Sequence, residues 1–445
     1  MKTSTHRWFN LAAALLLAVL LFSLAACEAI KSLDFPWEEP AGVPTKTPVL
    51  PTPTATLKIS PTPEATEITP TAISRETRLV LWLPPEFDPE ADNEAARLLK
   101  SRLQRFARAN AIEVDVRLKS STGSSNVIES LITTSGAAPD NLPALALLRK
   151  QDLDSAYARG LVYSNEALLT LANSLDLYGF AREAVSFDGE SFGIGLFGDP
   201  LIMTYQARSN QAPNDDWYAI HENFGRLGFA ADDPQGRFLL LLYLAAGGET
   251  RDTQNHLILQ KEPLERALQV LKDTAEAQHM SPAVPEMQTS SAVWQGFAEW
   301  RLDTAVMPAS VVLKMTSSDL TGYPEPAFTQ PAFSLTEAWV LAITNPNEAQ
   351  QTLAIKLIQE LSDTSFLAKW SEALNYVPAL PVALGSWTNV TLKPSLEKTM
   401  NVARLYPRDE TINSLGPVLR NATLMIVRDG ASVEEALEQA LESIK

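Results

Sequence analysis

Ile112-Glu113-Val114-Asp115-Val116-Arg117-Leu118 alternates apolar and charged residues without a break. A strand buried on one face has this period, because successive side chains point to opposite sides of a sheet. On its N-terminal side, Arg78-Leu79-Val80-Leu81-Trp82-Leu83 is almost wholly apolar, which predicts a strand covered on both faces. Between the two, Ala95, Leu99, Leu103 and Phe106 share a helical face. Asp88-Pro89-Glu90 is expected to open that helix, with a cap, a Pro at the first position and an acid in the first turn. On the C-terminal side, Val127, Ile128, Leu131 and Ile132 give a second helix face, with Gly136 as its expected stop. Leu145 to Leu148 reads as a buried strand, and Asp152 to Arg159 as a helix ending at Gly160. This β-α-β-α-β-α order predicts an α/β fold with a parallel sheet and right-handed crossovers.

The second half is richer in helix. Leu264, Ala267, Leu268, Leu271 and Ala275 share a face. Asn345-Pro346-Asn347-Glu348 is expected to cap a helix bearing Leu353, Leu357, Ile358 and Leu361. Ser432-Val433-Glu434-Glu435 is a capping box ahead of Leu437, Leu441 and Ile444. At 445 residues the chain is too long for one ordinary core, so two lobes are expected. With 45% hydrophobic residues it is not a wholly disordered chain. The net charge of −17 argues against a nucleic-acid partner or an anionic lipid surface, either of which needs a basic face. One Cys excludes an internal disulfide framework, and four scattered His disfavour a His-rich metal site.

The N-terminus reads as an address. Lys2 and Arg7 form a positive segment, Leu11 to Phe22 is apolar but short for a membrane span, and Leu24-Ala25-Ala26-Cys27 follows. This resembles a bacterial lipobox, in which residues 1–26 are a signal peptide and Cys27 is lipidated to become the new N-terminus. Loss of Lys2 and Arg7 takes the net charge from −17 to −19. Residues 27–75 are rich in Pro and Thr, with nine Pro between Pro36 and Ser74, and are expected to form an extended, semi-rigid spacer.

Two tempting motifs lack their context. Gly189-Glu190-Ser191-Phe192-Gly193 matches G-x-S-x-G, but Asp188-Gly189 reads as a turn between short strands and no helix follows the Ser. Gly193-Ile194-Gly195-Leu196-Phe197-Gly198 matches G-x-G-x-x-G, yet Asp199-Pro200 follows where a helix would have to start. No H-E-x-x-H, P-loop or C-x-x-C occurs, so no cofactor or metal is expected.

From residue 78 to 445 the order of landmarks resembles the family-1 extracellular solute-binding proteins of bacterial ABC importers, a group with many sugar binders. The pieces are Arg78-Leu79-Val80-Leu81-Trp82, Ser135-Gly136 with Pro139-Asp140 and Pro143-Ala144, and Phe187-Asp188-Gly189. Further on come Met203-Thr204-Tyr205-Gln206, Asn214-Asp215-Asp216-Trp217, Ala245-Ala246-Gly247-Gly248, Gly296-Phe297 and Trp339-Val340-Leu341-Ala342-Ile343. Val377-Pro378-Ala379 and Ala431 to Leu437 close the pattern. The chain departs from it at Gln206, at Trp300-Arg301-Leu302 and at Glu337-Ala338; the family's Pro-Asp has two candidate registers, Pro143-Ala144, which loses the Asp, and Pro139-Asp140, which keeps it in a loop.

The resemblance implies a two-lobed, periplasmic-binding-protein-like fold of type II, with parallel-sheet lobes joined by crossing hinge strands. One lobe would hold residues 76–198 and 332–380, the other 199–331 and 381–445. It implies a ligand cleft lined by Trp82, Asp199, Arg237, Ser310, Glu337 and Trp339, with the Trp rings stacking on sugar faces and the acids accepting from hydroxyls. The function so implied is a non-enzymatic, lipid-anchored receptor on the extracytoplasmic face of the membrane that hands a solute, a carbohydrate, to ABC permease subunits. The alternative is a surface interaction or sensor lipoprotein that keeps the fold without transport. A secreted hydrolase is disfavoured by the absence of an assembled catalytic motif. Adjacent permease genes would separate the first two. If Cys27 carries the anchor, Cys27→Ser moves the protein from the membrane to the soluble fraction. Retention in the membrane at the wild-type level would rule out a lipid on Cys27 as the attachment.

Overall fold

The computed structural model describes residues 78–123, 125–206, 216–222, 225–316, 326–328, 332–389 and 392–444. The expected signal segment, Cys27, the Pro/Thr-rich stretch and Asn214-Asp215 lie outside the described residues. No helix among the described residues is long and apolar enough to cross a membrane.

The strands in chain order are β1 (Arg78–Leu83), β2 (Glu113–Leu118), β3 (Leu145–Arg149), β4 (Ser186–Phe187), β5 (Glu190–Ser191), β6 (Gly193–Gln206), β7 (Leu227–Gly228), β8 (Thr304–Pro308), β9 (Pro326–Phe328), β10 (Ser334–Ile343), β11 (Val377–Pro378) and β12 (Ala403–Leu405). Ten of them form one continuous sheet with the path β2-β1-β3-β10-β6-β8-β7. β1 pairs in parallel with both β2 and β3, as the β-α-β order requires. β10 then runs antiparallel to β3 and to β6, so the sheet is mixed rather than purely parallel. Two long strands explain this. The first part of β6 pairs with β10 and β11, whereas Leu201 to Gln206 pair with β8 and β9. The chain thus passes from one lobe to the other within β6, at Pro200/Leu201, and returns through β10.

The last return differs from expectation. The family resemblance puts it at residue 381, but the helix Pro381–Gly385 packs on the helix Thr364–Leu374, and Lys393–Val402 packs on β6 and β10. Only after β12 do the helices Asp409–Val427 and Val433–Glu442 join Lys261–Glu276 in the second lobe. Pro381 starts a helix here rather than ending the lobe, and nothing in composition marks the later crossing.

Helix starts follow side-chain capping. Asn93 Oδ1 accepts from the Ala96 amide at 2.8 Å and opens Glu94–Asn110. Asp88, the expected opener, instead accepts from the Glu90 amide in a local turn. Likewise Asn347 caps Glu348–Leu361, while the Asn345 amide donates to the Leu142 carbonyl. The helix Val127–Ala137 runs through Gly136 and stops ahead of Pro139, which disfavours helical backbone at Ala138. Gly160 does end its helix as expected, with φ at 66°, and Ser432 with Glu435 forms the full capping box.

Both discounted motifs have structural explanations. Asp188 and Gly189 have φ of 50° and 83° and turn the β4–β5 hairpin, leaving Ser191 buried with its hydroxyl donating to the Gly193 carbonyl. Gly193, Gly195 and Gly198 lie within β6, where space is short. A Cβ on Gly193 would come within 2.5 Å of the Leu341 carbonyl oxygen, and one on Gly198 within 2.7 Å of the Phe180 ring. Gly193→Ala should therefore cost about 1–3 kcal/mol of stability through overpacking. Urea unfolding at the wild-type midpoint would show that β6 and β10 are less closely apposed.

Candidate functional site

The register of β6 against β10 assembles the site. Glu337 lies directly opposite Asp199, and Trp339 opposite Phe197. Side chains two residues apart share a face, and cross-strand partners project to the same side. Trp339 is also opposite Arg149 of β3, and Phe197 opposite Pro378 of β11. One row of the sheet therefore carries Arg149, Trp339 and Phe197. The adjacent row, just past the end of β3 and just before β11, carries Gln151, Glu337, Asp199 and Tyr376. These rows sit at the carboxyl end of β3 and where the chain changes lobes, the position where open α/β sheets bind ligands.

Each polar group is held by defined partners. Asp199 receives two hydrogen bonds from Ser310 of the other lobe, its amide donating at 2.8 Å and its hydroxyl at 2.6 Å. The Asp199 amide donates to Thr336 Oγ1 at 3.0 Å. Gln151 Nε2 donates to Glu337 Oε1 at 3.4 Å. Glu337 Oε2 and Gln151 Oε1 are buried with no hydrogen-bond partner. Arg149 is clamped by Asp152, its Nε donating to Oδ2 at 3.0 Å, and also donates to the Ser121 carbonyl. Arg237 begins the helix Arg237–Ala245 and donates to Gln235 Oε1 at 2.7 Å, with Asp233 at 3.8 Å.

Burial dominates the electrostatics. It pushes the Asp199 carboxyl up to about 6, against the Ser310 donors and the Arg237 charge, which pull it down. It also raises Glu337, opposed by Arg149 and Arg237 and reinforced by Asp199 and Asp409. Asp152 is raised by burial despite its bond to Arg149. The phenols of Tyr376 and Tyr406 are held neutral by burial, with both acids adding to the effect.

Aromatic side chains back the polar row. Phe87 meets Trp339 edge-on at 5.0 Å and stacks on Tyr376 at 5.8 Å, while Phe197 meets Trp370 edge-on at 5.1 Å. In the second lobe a cavity of about 370 Å³ opens at the carboxyl ends of β7 and β8, with Leu201, Phe229, Asp233, Gln235, Arg237 and Thr289 on its wall. Among the described residues no group of His, Cys, Asp and Glu could hold a metal ion.

Of the residues nominated from sequence, Asp199, Glu337, Ser310 and Arg237 converge on the crossing strands. The two Trp rings differ from expectation. Trp82 is 2% exposed, flanked in the sheet by Arg117 and Ala146, and its ring is covered by the Lys119 ammonium at 4.8 Å, so it has no open face. Trp339 is 5% exposed and presents its ring to Phe87 and Tyr376 rather than to solvent. The reason is the same in both cases: each lies in a central strand covered on both faces. Arg149, Gln151 and Tyr376 were missed. Arg149 and Gln151 carried a readable signal, since polar residues ending a buried strand such as Leu145–Leu148 fall at the carboxyl edge of the sheet.

A family model described as bacterial extracellular solute-binding protein matches residues 102–394. The chain belongs to this family of extracellular solute-binding proteins. No match was found among curated proteins. Among solved structures, a cyclo/maltodextrin-binding protein complexed with maltotetraose is 15% identical, with a TM-score of 0.66, over 83% of this chain and 96% of that one. A Thermus thermophilus maltotriose binding protein bound with maltotriose is 16% identical, with a TM-score of 0.58, over 82% and 98%. The maltose-maltodextrin binding protein of Alicyclobacillus acidocaldarius is 12% identical, with a TM-score of 0.59, over 82% and 99%. These likenesses bear out the two-lobed α/β fold.

The raised Asp199 carboxyl gives a signed prediction. A group protonated more readily in the folded state stabilises it fully below the unfolded value, near 3.8, and loses that contribution as pH rises through about 6. At 1.36 kcal/mol per pH unit the loss is roughly 3 kcal/mol. Glu337 and Asp152 act with the same sign but are present in both proteins. The stability of wild type relative to Asp199→Asn should therefore fall between pH 4 and pH 6.5. A constant difference across that range in urea titrations would show that Asp199 is solvated like an ordinary carboxylate.

Proposed function

We propose that the chain is the receptor of an ABC importer, anchored outside the cytoplasmic membrane by a lipid on Cys27, and that it binds a carbohydrate at the crossing strands for delivery to permease subunits. It acts by binding, without catalysis or cofactor. The observation that carries this reading is the row Gln151–Glu337–Asp199, placed where the chain changes lobes and tied to the other lobe through Ser310. Carboxylates and amides at such a junction accept from and donate to hydroxyls, and the neighbouring aromatic side chains supply an apolar wall. The family membership and the maltodextrin ligands named for the similar structures support a saccharide. Closure of the two lobes about β6 and β10 would sequester the ligand. The covered rings of Trp82 and Trp339 favour a second reading, a surface sensor or interaction lipoprotein with the same fold.

A saccharide panel with amino acids as controls tests the first reading. A ligand that binds only the folded protein raises its melting temperature, by about 2.7 kcal/mol of stability at a hundred times Kd. At least one saccharide should do so and no amino acid should. Glu337→Gln should weaken that saccharide by about 2 kcal/mol, the cost of losing a charged hydrogen bond. It should also raise the melting temperature without ligand, because it removes a charge that burial disfavours and sets an N–H donor near the unpartnered Gln151 Oε1. If no saccharide shifts the wild-type transition, the carbohydrate receptor is refuted and the sensor reading gains.

A further inference from the structure

The chemistry left unmet at this site is one-sided. The buried side-chain atoms of the row without partners, Glu337 Oε2 and Gln151 Oε1, are both acceptors. Gln151 is 3% exposed, and its amide orientation follows from its Nε2 donating to Glu337. With Glu337 ionised, the reverse orientation would set oxygen against oxygen. Asp199 uses one acceptor position on each oxygen for Ser310, and a carboxylate has further positions free. A ligand seated here must bring donors.

The charge is one-sided as well. Asp199 and Glu337 are direct cross-strand neighbours, about 5 Å apart at Cβ by sheet geometry. Arg149 is committed to Asp152, and Arg237 is held by Gln235 beside Asp233. Asp409 adds a further negative charge acting on Glu337. Tyr376 and Tyr406 beside the row are neutral. Hydroxyl groups could fill the empty acceptor positions, but they would leave two carboxylates facing each other with both nearby guanidiniums bonded to other partners. An ammonium group supplies three donors and the missing charge at once.

We infer that the solute presents a protonated amine to Gln151, Glu337 and Asp199, so that the carbohydrate is an amino sugar. This rests on the receptor reading and narrows its ligand. Burial raises both carboxyls even with Arg149 and Arg237 nearby, in keeping with a site short of positive charge.

The test is calorimetric titration of the mature protein at pH 7 with glucosamine oligosaccharides, with their N-acetylated counterparts, with maltodextrins of equal length and with spermidine. N-acetylation removes the charge and leaves a single amide donor. The free-amine saccharide should bind at least tenfold more tightly than its N-acetylated form, and Glu337→Gln should reduce that preference to threefold or less. Asp199→Asn provides a second variant should Glu337→Gln fold poorly. Equal or tighter binding of N-acetylated or neutral saccharides overturns the amine inference and leaves the carbohydrate receptor standing. Binding of spermidine with no saccharide at all keeps the amine and overturns the sugar. Failure of every amine-bearing probe to bind overturns the inference.

Discussion

The pairing of β6 with β10 fixes both the lobe junction and the relative placement of the acids Asp199 and Glu337. Both strands serve two lobes, and their register sets Asp199 against Glu337 and Phe197 against Trp339. A slip of one residue would turn every one of these side chains to the opposite face. Close approach is enforced by glycine at Gly193 and Gly198, where a Cβ would strike the opposing backbone or the Phe180 ring. The register shifts between Trp339 and Val340, where Leu196 is the extra residue on β6, while β10 keeps a continuous register with β3.

That geometry makes the site expensive. Two carboxyls are held partly out of water, and one oxygen of Glu337 has no donor. The cost is offset on the Asp199 side by Ser310 and around the row by Arg149 and Arg237. A fold selected only for stability would place an apolar or amide pair there. Retained unmet acceptors at a lobe junction are what a binding protein needs, since the ligand then completes bonds that the protein cannot complete by itself.

Much of the fold was readable from periodicity and turn chemistry. β1, β2 and β3 follow directly from their apolar patterns, the Asp188-Gly189 hairpin from its turn residues, and the capping box from Ser432 and Glu435. Helix starts at Asn93 and Asn347 were displaced from the expected Asp88 and Asn345, because several side chains within a few residues can cap and tertiary contacts choose between them. The last crossing was invisible for a related reason: the helices on either side of β12 carry similar apolar faces. The family landmarks nominate Asp199, Glu337 and Ser310, and the β6–β10 register with the Ser310 bond brings them together at the junction. The burial of Trp82 and Trp339 was not legible, since an aromatic residue in an apolar strand reads the same whether its ring faces a cleft or a neighbouring helix. Tyr376 gains its place only from the pairing of Val377 with Gly198, a contact between residues far apart in the chain.

The proposed receptor requires the two carboxyls on the crossing strands to face the ligand. Carbon-13 NMR titration of the Asp199 and Glu337 side chains, with and without a saturating amine-bearing saccharide, addresses it directly. Both midpoints should lie above the ordinary carboxylate range in the free protein and fall when the ligand binds, because the ligand brings donors and positive charge to the ionised forms. Midpoints that stay fixed while the ligand is bound would place the binding site elsewhere and refute the proposed role of these carboxyls.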